Sequence, residues 1–145
     1  MMTDSQREMV IAEAKRWIGT PFHHEAKVLG AGVDCAQLLV AVYGDTGIIP
    51  EIVVPRYTFQ EALHRSEERY IQEIEKYADE VEQGGPGDVV IWKLTRRHSH
   101  AAIIIEWPKI IHAWVGRGVT GDNAEFNGKL IGKPHKFYTA RNIPE

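Results

Sequence analysis

Apolar residues recur at helical spacing through the first half of the chain and at strand-like spacing through the second. Val10, Ile11, Ala14, Trp17 and Ile18 share one helical face, and Ser5 and Glu8 stand upstream at capping-box spacing. Gly19-Thr20-Pro21 ends this helix, because proline has no N–H to continue it. A loop is predicted over 22–33, with Gly30 and Gly32 allowing sharp bends. From Asp34 the residues Ala36, Leu38, Leu39, Val40, Val42 and Tyr43 predict a second, densely apolar helix that stops at Gly44 or Gly47. Residues 48–55 are apolar and interrupted by Pro50 and Pro55, and they read as an extended connector. One or two amphipathic helices follow. Tyr57, Phe59 and Leu63 lie on the first, Tyr70, Ile71, Ile74, Tyr77 and Ala78 on the second, with Ser66 as a cap between them.

After Gln83 the period becomes extended. Gly84-Gly85-Pro86-Gly87-Asp88 is a turn signal, with Asp88 serving the turn. Strands are expected over 89–92, 100–106 and 109–115, with shorter pieces around Val119 and over 135–140. Helices first and an antiparallel sheet second predict an α+β architecture, arranged as one domain over 1–145.

Composition narrows the function classes. With 43% hydrophobic and 26% charged residues the chain is not of the disordered type. A net charge of −3, from 17 basic and 20 acidic residues, gives no basic field for nucleic acid. No apolar run approaches the ~20 residues of a membrane span. The opening MMTDSQREMV carries acids and no apolar core, so a secretory signal is not expected. The expectation is a chain made in a cytoplasm that reaches any other destination without a signal of its own. Cys35, the one cysteine, excludes an internal disulfide and a cysteine-rich zinc site.

That cysteine is placed for chemistry. Asp34-Cys35-Ala36-Gln37 matches a capping box, which puts Cys35 at the first helical position. There the free backbone N–H groups and the positive end of the helix dipole favour a thiolate, the nucleophilic form. The alternative is a small buried hydrophobe, the commonest fate of a lone cysteine. His100 and His112 flank Glu106-Trp107-Pro108, and a hairpin centred on Glu106 sets the two histidines opposite each other on one face. One imidazole would then act as base for the thiol and the other would orient it. Two readings compete: polar residues on a wet sheet face, and a metal site in which His98 joins His100 and His112. No carboxylate partner for the rings is evident. His23 and His24 lie in the loop before Cys35, while His64 reads as a helix-surface residue and His135 as a strand-edge one. Trp92, Trp107 and Trp114 read as core or rim aromatics before substrate platforms.

Gly19-Thr20-Pro21-Phe22, Gly32-Val33-Asp34-Cys35, Gly87-Asp88, Ser99-His100-Ala101 and Ile111-His112-Ala113 together resemble the NlpC/P60 family of cell-wall cysteine peptidases. The long 22–33 loop and the lack of an export signal resemble its phage-tail branch. The resemblance implies a papain-like fold in which Cys35 attacks the peptide, His100 acts as base and then acid, and His112 orients His100. It implies a peptidoglycan stem peptide as substrate, cut after γ-D-glutamate and before the diamino acid, with the Cys35 N–H in the oxyanion hole. Phe22, His23, His24 and Asp34 would line the substrate approach. No cofactor, metal, nucleic acid or membrane span is expected; the expected partners are the peptide and phage tail proteins, with residence in a virion tail. Two positions depart from the family pattern: Phe22 stands where tyrosine is frequent, and Ala36-Gln37 replaces Ser-Gly. These departures point to the alternative, a tail-assembly or wall-binding module with little catalysis.

Overall fold

Alternation along the strands divides the apolar residues of the sheet into two sets, and each builds its own core. Val89, Ile91, Ala101, Ile103, Ile111 and Ala113 pack with Val10, Ala14, Trp17, Leu38 and Val42 of the helical half. Val90, Trp92, Ala102, Ile104 and Ile110 face the other way, under Ala124 and Leu130. The computed structural model describes residues 2–50, 52, 69–94 and 98–141.

The elements are α1 (Asp4–Arg16), β1 (Lys27–Val28), β2 (Gly32–Val33), α2 (Cys35–Asp45), α3 (Arg69–Glu75), β3 (Ala78–Val81), β4 (Val89–Lys93), β5 (His98–Glu106), β6 (Lys109–Trp114), β7 (Gly118–Asn123) and β8 (His135–Ala140). Strands β3 to β8 form one antiparallel sheet in the order β3-β8-β4-β5-β6-β7. Helix α1 packs on α2, and α2 lies against β5 and β6. The architecture is the expected α+β one.

Several local expectations are corrected. The first capping box is Thr3–Gln6, two residues upstream of Ser5–Glu8: Thr3 Oγ1 accepts the Gln6 N–H at 3.1 Å and Gln6 Oε1 the Thr3 N–H at 2.8 Å. Because α1 ends at Arg16, Ile18 escapes its apolar face and is 48% exposed. The 22–33 loop contains the small β1–β2 hairpin. Tyr77 and Ala78 do not extend α3, since residues 78–81 pair with β8. Arg141 closes that helix end, donating from Nη2 to Glu75 O at 2.6 Å and from Nη1 to Lys76 O at 3.0 Å. The helix drawn through Tyr57, Phe59 and Leu63, its Ser66 cap and His64 lie outside the described residues.

The turn before β4 ties the helices to the sheet. Asp88 Oδ2 accepts the Gly85 N–H at 2.8 Å, which is the turn role read from the sequence. Arg7 of α1 lies 3.0 Å from Asp88 Oδ1 and donates the same Nη1 to Pro86 O at 2.8 Å. Tyr43 of α2 donates its O–H to Gly87 O. Asp88 is 2% exposed, so Arg7→Ala strands a buried carboxylate. The expected loss is ~3 kcal/mol of folding stability, read from denaturant midpoints at constant m. Tyr43→Phe, which removes one neutral donor, is expected to cost ~1–2 kcal/mol.

Candidate active site

Cys35 is the first residue of α2 and is partly exposed, resting against the helix-side core. Its position is set by Asp34, the N-cap, whose Oδ1 accepts the Gln37 N–H at 2.8 Å. The other carboxylate oxygen accepts the Glu25 N–H at 2.8 Å and so holds the preceding loop, where Glu25 has a left-handed φ of 63°. Such a backbone costs a β-carbon-bearing residue ~1–2 kcal/mol, which the Asp34 bond offsets. Asp34 is 5% exposed, with both oxygens engaged by backbone.

A ladder of backbone bonds docks the entry to α2 on the sheet. His23 N–H donates to Val33 O at 3.0 Å, and Val33 N–H to Pro21 O at 3.1 Å. Gly19 N–H donates to Val119 O at 2.9 Å, and Val119 N–H to Thr20 O at 2.8 Å. Val119 of β7 pairs with Ala113, the neighbour of His112. The start of α2 is thereby tied to the end of the β5–β6 hairpin that carries the histidines. Gly118, at φ 74°, permits this approach, because a β-carbon there would lie 2.5 Å from Thr20 O.

The two rings do meet. His100 Nε2 lies 2.8 Å from His112 Nδ1. The pairing register differs from the expected one, since Ile103 pairs with Ile111 and Ile104 with Ile110, with a shift toward Glu106. The offset is two residues, an even number, so both histidines stay on one face as diagonal rather than direct neighbours. His100 is 6% exposed and His112 0%, so neither is a wet-face residue. Trp92, opposite His100 on β4, stacks on it at 5.8 Å between centroids. Trp114 meets His100 edge-on at 4.7 Å and His112 at 5.3 Å.

A carboxylate partner, absent from the sequence reading, closes the row. Asp122 Oδ2 lies 3.1 Å from His112 Nε2 and accepts from Asn127 Nδ2 at 2.9 Å, while Oδ1 accepts the Asn123 N–H at 2.7 Å. The signal was present in Gly116-Arg117-Gly118: a turn centred on Gly116 sets Thr120 across from His112 and Asp122 one diagonal step away. Burial and then the neighbouring His112 push the His100 ring down to about 3. Burial lowers His112 as well, against the opposing pull of Asp122. The hydrogen bonds from Asn127 and Asn123, with His112, outweigh burial and hold Asp122 below the usual carboxylate range. Both rings are therefore neutral at pH 7 and Asp122 is ionised. Trp114→Ala is expected to admit water and raise the His100 titration by at least one unit, read from the ring C–H resonances.

The remaining candidates lie around the entry loop. Phe22 is half-buried and bridges to Val33. His23 and His24 are exposed, and His24 Nε2 is 3.4 Å from Glu25 Oε1. His135 opens β8 beside Trp107, at 5.5 Å. Among the described residues no group of three His, Cys, Asp or Glu side chains is arranged to hold a metal. Nor is any described helix long and apolar enough to cross a membrane.

A model of the NlpC/P60 family matches residues 19–133. Among solved structures, the NlpC/p60 domain of the peptidoglycan hydrolase SagA aligns with a TM-score of 0.61 at 20% identity, covering 93% of this chain and 98% of that one. An NLP/P60 family protein from Staphylococcus aureus, described as similar to lipoprotein, aligns at 0.63 and 20% identity; 99% of this chain spans 43% of that one. RipD from Mycobacterium tuberculosis, described as a non-catalytic NlpC/p60 domain protein adapted to peptidoglycan binding, aligns at 0.58 and 17% identity, covering 97% and 100%. At these identities the likeness is one of fold. Comparison with curated protein sequences returns no match.

Proposed function

The chain belongs to the NlpC/P60 family, and from that membership we propose that it is a cysteine endopeptidase of peptidoglycan stem peptides acting at the cell wall; the long 22–33 loop supports the further proposal that it is carried on or assembled into a phage or prophage tail. The observation that carries the reading is the 2.8 Å contact between two buried, neutral imidazoles, at the sheet end to which a helix-start cysteine is tied. In this reading the His100 nitrogen turned away from His112 takes the Cys35 proton as sulfur attacks the scissile carbonyl carbon. The oxyanion is received by the Cys35 N–H in the first turn of α2. As the C–N bond breaks, His100 returns the proton to the leaving amine. Water, losing a proton to the same ring, then cleaves the thioester and restores the thiol. Phe22, His23 and His24 flank the entry loop and serve as the substrate approach, with Asp34 holding that loop in place.

The test is digestion of purified muropeptides followed by mass spectrometry. The expected product carries a new amino terminus on the diamino acid, and iodoacetamide treatment abolishes it. Cleavage that survives complete alkylation of Cys35 rejects the mechanism. Phe22, which offers no hydroxyl beside the site, favours a second reading: a wall- or tail-binding module of the same fold. Cosedimentation with sacculi without any new amino terminus would select it.

A further inference from the structure

Asp122 donates nothing, so whatever proton lies between it and His112 Nε2 belongs to the ring. A neutral His112 with its hydrogen on Nε2 has a bare Nδ1, which only accepts. His100 Nε2, 2.8 Å away, must then be the donor, and a neutral His100 that donates from Nε2 has a bare Nδ1. One carboxylate thus fixes two tautomers in series. We propose that Asp122 is a positioning residue that, through His112, keeps the lone pair of His100 Nδ1 free to act as the base.

The geometry around Asp122 suits that task. Asn127 donates to the same oxygen that faces His112, and its own Oδ1 accepts the Lys129 N–H at 2.9 Å, so the acceptor is held from the loop side. The Asn123 N–H fixes the second oxygen at 2.7 Å. His112 is wholly buried, so no water competes for its Nε2 hydrogen. Without Asp122 nothing would hold the His112 hydrogen on Nε2; with that hydrogen on Nδ1 instead, neutral His112 would donate to a bare His100 Nε2, and neutral His100 would carry its own hydrogen on Nδ1, where it cannot serve as base.

The inference rests on the peptidase reading for its catalytic meaning, but its first readout does not need activity. In the Cys35→Ala chain, which prevents ion pairing with a thiolate, ¹⁵N resonances report the protonation of each ring nitrogen. The expected pattern at pH 7 is Nε2–H with bare Nδ1 on both His100 and His112. Asp122→Asn keeps an acceptor and should keep that pattern, whereas Asp122→Leu should move hydrogen onto His100 Nδ1. With Cys35 present, kcat/KM should fall by less than about tenfold in Asp122→Asn, where the Asn127 Nδ2 donor holds the amide oxygen toward His112, and by about a hundredfold in Asp122→Leu, with KM little changed. A purely structural role for Asp122 would leave the tautomers where they were. In the Cys35→Ala chain, Nδ1–H on His100 with Asp122 intact, or an unaltered pattern when Asp122→Leu is added, overturns the inference. Should Asp122→Leu fail to fold, the Cys35→Ala chain with Asp122 intact and Asp122→Asn still decide it. Inactivity of the unsubstituted chain with the expected tautomers in Cys35→Ala would refute the peptidase and support the relay, whereas activity of the unsubstituted chain with Nδ1–H on His100 in Cys35→Ala would do the reverse.

Discussion

Cys35→Ala is expected to lower kcat/KM on muropeptides by ~10⁴–10⁶, and adding His100→Ala to it is expected to cost almost nothing more. The reason is that nucleophile and base act as one unit: once sulfur is gone there is no covalent step for the imidazole to assist. His100→Ala alone should be milder, ~10²–10⁴, because the helix start continues to favour a fraction of thiolate without a base. The double-mutant cycle is the decisive form of the measurement. Losses that add on a logarithmic scale would show two independent contributions and break the assignment of Cys35 and His100 to one mechanism. A Cys35→Ala enzyme retaining more than about 1% of activity would remove the thiol from the chemistry altogether.

What the sequence made legible was local or protected by parity. Cys35 stands at the start of α2 because Asp34 is a good N-cap and the apolar run begins directly after it. The histidine pair was found with the wrong register and still on the right face, since a two-residue offset preserves strand parity. β7 and β8 were both visible as extended pieces. The misses are tertiary. Residues 78–81 look helical alone, yet β8 offers them a sheet edge and Arg141 gathers the carbonyls at the end of α3. Asp122 carries no motif of its own; it becomes a partner of His112 only when the Gly116–Gly118 turn lays β7 beside β6. The two separate cores were likewise hidden, because alternation reveals two faces without saying what covers the second.

Acid should unfold this protein through the very rings that serve its site. His100 is held down to about 3 by burial and by His112, and His112 is also lowered, whereas in the unfolded chain both titrate near ~6.5. Between those limits the unfolded state binds more protons than the folded one, so stability rises with pH. The contribution is complete above about pH 7 and is lost as pH falls from ~6.5 toward 3. At ~1.4 kcal/mol per pH unit, His100 alone accounts for about 2–3 kcal/mol between pH 7 and 4.5 and about 4–5 by pH 3, a large share of a typical 5–15. Asp122, also lowered, adds to the loss once its unfolded form begins to protonate, near ~3.8. Guanidinium midpoints at pH 7.5, 6.0 and 4.5 should therefore decline, and His100→Asn, which cannot titrate, should flatten the decline. An identical slope in the two chains would mean that His100 takes up its proton in the folded state. The edge-on Trp114 and stacked Trp92 would then not be excluding water from it. A base kept neutral by that exclusion holds a proton only when a thiolate forms beside it; protonated by acid, with no such counter-charge, the same group opens the fold.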